Sequence, residues 1–235
     1  MEELDKLTVV VEVCELISAG NMDAARETAR QSLPFEPIPN RAKRINRKSG
    51  LAQSLPPTAK RDVAIGKELQ PKQSLASGSK RRVSEKKKLQ VWQRDGFRCR
   101  YTKQRLVFPQ TLELLSLLLP EELPYDNPPH GKYALTHVIM YEPWPAIDHV
   151  KAISRSYDSV LANSPDNLVT ASAPVNSEKS SNDLDIFRWP LLPPEPLPDW
   201  DGLTGWYVQY LNQDPSWFDH PTSGARLKGW YRRLS

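Results

Sequence analysis

Cysteine is nearly missing from this chain of 235 residues, with only Cys14 and Cys99. Two thiols so far apart do not form a disulfide framework, and they cannot supply a four-thiolate zinc site. Long apolar runs are missing too. The longest, Leu112 to Leu119, is interrupted by polar residues and falls far short of a bilayer span. The sequence opens on Glu2, Glu3 and Asp5 with no positively charged stretch, which speaks against a signal peptide. Hydrophobic residues make up 39%, below the usual globular share, so the folded part is expected to be smaller than the length suggests. No internal repeat is found. These absences point to a soluble cytoplasmic protein that does not engage a membrane. The net charge of +4 gives a mild bias toward polyanionic partners.

What is present divides into stretches of different character. Residues 3–19 place Leu4, Leu7, Val10, Val11, Cys14 and Leu16-Ile17 near a helical period. Gly20-Asn21 breaks the run, and Asn21 can cap a second helix from Met22 to Leu33, closed by Pro34. Residues 1–38 are therefore expected to form a helical hairpin used for packing, self-association or partner docking, with a DNA-reading pair as the lesser alternative. Residues 39–83 carry Arg41, Lys43, Arg44, Arg47, Lys48, Lys60, Arg61, Lys80, Arg81 and Arg82 among frequent Pro, Ser, Gln and Gly. No apolar period persists there. The composition predicts a disordered basic linker, serving as a phosphate-tracking arm or as a solvated spacer.

A compact domain is expected over 84–235. Ser84 can cap a helix ending at Asp95-Gly96, and a leucine-rich helix covers 111–119. Strands are predicted over Tyr133–Tyr141, Ala146–Val150 and Leu168–Ala171, with a short helix from Pro174-Val175. The last fifty residues, rich in proline and tryptophan, carry an amphipathic helix over Asp201–Leu211 and read as aromatic core rather than as a base-stacking surface.

The chemistry concentrates between Ile147 and Asn182. Asp148 and His149 are adjacent on a strand and face opposite ways, so they cannot both be ordinary core residues. A hairpin backed by a helix can bring Asn176 near Asp148. A carboxylate and an amide oxygen are hard donors that suit Mg²⁺ or Mn²⁺. His149, with an ordinary pKa of about 6.5, suits a base taking a proton from water near neutral pH. Lys179 lies one helical turn after Asn176, a place from which it can meet phosphate. Lys151 and Arg155, in the loop after His149, are further nucleic-acid candidates; for Arg155 plain surface is the alternative.

This stretch resembles the HNH motif, in its His-Asn-Asn variant. Asp148 falls at that family's metal-binding Asp, His149 at its general base and Asn176 at its second metal ligand. Asn167 falls at the middle Asn, which in the family pins the loop carrying the histidine. Lys179 and Asn182 match a trailing Lys and Asn, and Gln93 to Thr102 is similar to the segment that commonly precedes the motif. The resemblance covers roughly residues 88–183. It implies an α+β protein with a ββα-metal (HNH/His-Me finger) nuclease core, surrounding helices and the amino-terminal hairpin. It also implies metal-dependent hydrolysis of phosphodiesters, in DNA first of all.

Two departures stand out. Relatives often clamp a structural zinc with two Cys-x-x-Cys pairs; here the places hold Cys99-Arg-Tyr-Thr102 and Ala173-Pro-Val-Asn176, so no structural zinc is expected. Packing must hold the motif instead, with the 111–119 helix and the carboxyl-terminal aromatics as candidates. The loop after His149 reads Lys151-Ala-Ile-Ser-Arg155 in place of the family's glycine pair and proline. Elsewhere, His130 and His220 read as surface and His137 as a satisfied, partly buried histidine, with an approach to the site from a neighbouring strand as the lesser alternative. Cys99 reads as a buried small hydrophobe. A nucleic-acid-binding module on an inactive scaffold and a nuclease active only in a larger assembly are the competing functions.

Overall fold

Two discontinuous units make up the protein. A computed structural model describes residues 5–38, 83–125, 135–151, 162–180, 184 and 189–235. One unit gathers 1–39, 107–144 and 199–235; the other gathers 40–106 and 145–198. This corrects the expected division into a hairpin (1–38), a linker (39–83) and one domain (84–235). The linker itself lies almost wholly outside the described residues.

The first unit is helical. Helix α1, Lys6–Ser18, starts where the Asp5 carboxylate accepts a bond from Leu7 N at 3.2 Å. It ends at Gly20, whose φ of +75° suits glycine. Helix α2, Met22–Ser32, is capped by Asn21, which accepts from Ala24 N at 3.2 Å. Its buried Ala25 and Ala29 let the two helices approach closely. The apolar face of α1 is buried within the unit, and a distant helix helps to cover it. Trp206 Nε1 donates to Cys14 O at 2.8 Å and to Ser18 Oγ at 2.9 Å. The hairpin and the carboxyl-terminal aromatics therefore fold together, through a contact between residues 192 apart that no local pattern announces.

The aromatic region is core in part: Trp200, Tyr207 and Trp230 are buried, whereas Trp206, Tyr210, Trp217, Phe218 and Tyr231 are half-buried. The ring of Phe108 meets Tyr207 and Trp230 edge-on at 5.5 and 5.4 Å. Tyr207 Oη donates to Leu227 O at 2.7 Å. The run read as a strand over 133–141 is instead a 3-10 turn, Val138–Met140, within the described part 135–141. The cause is His137. Its Nδ1 accepts from Ile139 N at 3.1 Å, and its Nε2 faces Leu33 O and Pro34 O at 3.1 and 3.2 Å. The imidazole is 1% exposed, and burial pushes its pKa down. It is a satisfied core histidine.

The second unit holds the motif. Helix α3, Glu85–Arg94, is capped by Ser84, which accepts from Lys87 N at 3.3 Å. The chain then reverses at Gly96, with φ of +63°. A Cβ there would meet Pro196 Cα at 2.5 Å, so conformation and space both require glycine. A tight turn follows, in which Cys99 N donates to Gln104 O and Lys103 N to Cys99 O.

Beyond it, strand β1 (Pro145–His149) pairs antiparallel with β2 (Leu168–Ser172), Asp148 opposite Val169 and His149 opposite Leu168. Helix α5, Ala173–Lys179, starts directly after β2 with Pro174 in its first turn. Helix α4, Pro109–Leu118, belongs to the first unit, as do α6 (Thr204–Gln213) and α7 (Gly224–Leu234).

The mixed content is α+β. Within the second unit, the core at the motif is built from Cys99, Tyr101, Leu106, Val169, Ala171, Val175 and Trp189. Cys99, a free thiol, is 1% exposed, in keeping with its reading as a small hydrophobe. Among the described residues, no helix is long and apolar enough to cross a membrane.

Candidate active site

Strand alternation decides what β1 offers. Asp148 points inward and is 3% exposed, whereas His149, the last strand residue, is half-buried. Helix α5 packs against both strands, and its residues 176 and 179 share one face. That face is turned toward β1, because Lys179 Nζ donates to Asp148 Oδ1 at 3.1 Å and to His149 O at 2.6 Å.

Asp148 is held from the other side too, by Tyr101 Oη donating to Oδ2 at 2.5 Å. Burial is the main influence on this carboxyl. It raises the pKa, against the opposing pull of Lys179, Tyr101 and His149. Burial, followed by the charge of Asp148, raises the Tyr101 phenol as well, so it stays a donor.

Lys179 is 0% exposed, and the expectation that it contacts phosphate is corrected. The reason is geometric: α5 follows β2 without a loop, so its last turn lies over the end of β1 and the ammonium reaches inward. Asn176, one turn earlier, is half-buried and makes no side-chain hydrogen bond to another described residue.

Asn167 works on backbone alone. Its Oδ1 accepts from Lys151 N at 2.7 Å, while its Nδ2 donates to Lys151 O at 3.1 Å and Ala162 O at 2.8 Å. One amide thereby closes both ends of the loop between the strands, directly after His149. Val150 N donates to Asn167 O at 3.0 Å and extends the clasp. Lys151 itself is exposed. Arg155 and Asn182 lie outside the described residues, as does His130.

Sequence reasoning overlooked three residues here. Tyr101 holds Asp148. Asn163 Oδ1 lies 3.1 Å from His149 Nε2. Asp95, fully buried, accepts from Arg94 Nε and Nη2, Arg100 Nη1 and Thr170 N, at 2.7 to 3.1 Å. A signal for Asp95 existed, since an acid flanked by Arg94, Arg98 and Arg100 has cations within reach. For Tyr101 and Asn163 there was none, because their partners are 47 and 14 residues away.

Among the described residues, no three His, Cys, Asp or Glu side chains gather into a metal-holding group. The candidate donors here are of another kind, one carboxylate and one amide. An ionised carboxylate has about four lone-pair sites, so Asp148, with one donor on each oxygen, keeps acceptor capacity. The donor chemistry fits a hard divalent cation. No family model, no curated protein and no solved structure matches the chain. The likeness to the HNH family rests on the residues of this chain alone.

Proposed function

We propose that the second unit is a nuclease site of the ββα-metal kind, resembling the His-Asn-Asn variant of the HNH family, that hydrolyses phosphodiester bonds in nucleic acid. The observation that carries this reading is a half-exposed histidine at a strand end held at three points by described residues. Lys179 grips its carbonyl, Asn167 clasps the loop that follows it, and Asn163 meets its ring. A histidine needed only for packing has no use for such restraint with its ring left partly open.

In this reading His149 takes the proton from the attacking water. Asp148 and the amide oxygen of Asn176 would hold Mg²⁺ or Mn²⁺, which when bound offsets charge on the phosphate and the leaving oxygen. Tyr101 and Lys179 orient the Asp148 carboxylate from inside. Lys151 offers an exposed cation beside the site for phosphate, with DNA the first substrate to try.

The test is supercoiled plasmid incubated with Mg²⁺, Mn²⁺ or Ca²⁺, against a chelator control. Wild-type protein should nick, and His149→Ala should lose about 10²–10⁴-fold in rate with its fold intact. Full magnesium-dependent cutting by His149→Ala would remove the assignment. The grip of Tyr101 and Lys179 on Asp148 favours a second reading, a binding module on an inactive scaffold. It predicts plasmid retention without any metal-dependent nicking.

A further inference from the structure

The contact between Asn163 and His149 specifies more than proximity. An amide oxygen carries lone pairs only, so a ring nitrogen 3.1 Å from Asn163 Oδ1 must bring the proton. Neutral imidazole has a single N–H. With Nε2 protonated, the lone pair is on Nδ1.

The loop segment carrying this amide is itself secured. Lys87 Nζ, from α3, donates to Asn163 O at 3.0 Å, and Asn167 Nδ2 donates to Ala162 O at 2.8 Å. Asn163 is thus a held group rather than a passing contact, although it lies outside the motif that singled out His149.

We propose that Asn163 is a positioning residue that sets His149 as its Nε2–H tautomer, so that Nδ1 is the nitrogen that receives the proton from water. Its catalytic part rests on the nuclease reading above. An amide suits this task better than a carboxylate. It accepts a hydrogen bond from Nε2–H without placing a second negative charge beside an anionic phosphate.

The experiment uses full-length protein with ¹⁵N-labelled histidine, long-range ¹H–¹⁵N correlation spectra at mildly alkaline pH, and His149→Gln to assign the signal. The wild type should show a protonated Nε2 and a bare Nδ1 at His149. Asn163→Leu should mix the two tautomers, and Asn163→Asp, which keeps an acceptor, should restore Nε2–H.

On plasmid with Mg²⁺, Asn163→Leu should lower kcat roughly tenfold or more with KM little changed. Asn163→Asp should regain most of kcat and raise KM through charge repulsion. A protonated Nδ1 in the wild type, or tautomers indifferent to Asn163→Leu, would overturn the proposal. If wild-type protein cuts nothing, the nuclease reading falls, and the proton signals still decide whether Asn163 sets the tautomer.

Discussion

Asp95 and Asp148 are both buried in the second unit, at 0% and 3% exposure, yet the protein surrounds them differently. Asp95 receives bonds from Arg94, Arg100 and the backbone N–H of Thr170, with two donors on each oxygen. Its arginines reach further. Arg94 also donates to Pro165 O and Leu168 O, and Arg100 to Leu192 O. The end of α3, the start of β2 and the segment around residue 192 are joined at this one carboxylate. Among the described residues Asp148, by contrast, has a single donor on each oxygen. A carboxylate whose lone pairs are all engaged can only anchor. One with lone pairs to spare, beside a half-open histidine, can still take a ligand. The difference separates the floor of the hairpin from its mouth.

Removing each carboxylate's partners should break the comparison in opposite ways. The largest effect is expected at the floor. Asp95→Ala strands the part-buried guanidinium groups of Arg94 and Arg100, 34% and 12% exposed, and a backbone N–H, and should cost about 3–5 kcal/mol in urea unfolding. A cost under about 1 kcal/mol would show that Asp95 is not an anchor. Next comes Lys179→Met, which leaves the Asp148 carboxylate buried with only a phenol, and should cost about 3 kcal/mol. Here a rescue exists. The double change Asp148→Asn with Lys179→Met removes both charges, and should recover more than half of that loss. If the double variant is as unstable as Lys179→Met alone, the Asp148–Lys179 pair is not the coupled unit described.

Much of the second unit was legible because its signals are local. Ser84, the Asp95-Gly96 reversal, two short strands and a Pro174-led helix fall within about two residues of where caps, turns and alternation put them. Asn167 was placed by its match to a motif, and its bonds to Lys151 and Ala162 are backbone bonds of the kind Asn favours in loops. What failed was non-local. A helical period tells that residues 176 and 179 share a face, but not that the face lies over β1, so the sequence offers Lys179 as a phosphate contact. An apolar run ending at Tyr141 resembles a strand until His137 caps it as a turn. The separate amino-terminal hairpin failed for the same reason. Its apolar face was read correctly, but Trp206, which binds Cys14 and Ser18, lies near the other end of the chain.

A smaller effect follows from the raised pKa of Asp148. Burial lifts it above the ordinary 3.8. Below the unfolded value both states hold the proton, and this group adds no pH dependence. Between the unfolded and the raised native value, the folded protein keeps a proton that the unfolded chain has lost. Folding then takes up a proton, so stability falls as pH rises through this window and levels off above the native value. Asp148→Asn lacks the titration. Thermal melts of both proteins in chelator, from about pH 4 to about pH 7, should show the wild type losing stability relative to Asp148→Asn as pH rises. A wild type that gains on the variant over that range would place the native pKa below the ordinary value, and would make Asp148 a carboxylate stabilised by Lys179 as Asp95 is by its arginines.

The smallest effect belongs to the mouth of the site. Lys151 is exposed, and among the described residues it is held through its backbone, by Asn167. Replacing its side chain should therefore leave stability within about 0.5 kcal/mol. A lysine that meets phosphate carries no sequence information, so Lys151→Ala should weaken binding to unrelated duplexes about equally. It should also reduce the slope of log affinity against log salt by about 1. Lys179→Met gives the contrast, because a fully buried ammonium releases no counterions from DNA. If the salt slope responds to Lys179 and not to Lys151, the inner lysine leaves Asp148 when nucleic acid binds, and the mouth and the floor of the hairpin differ less than their bonds suggest.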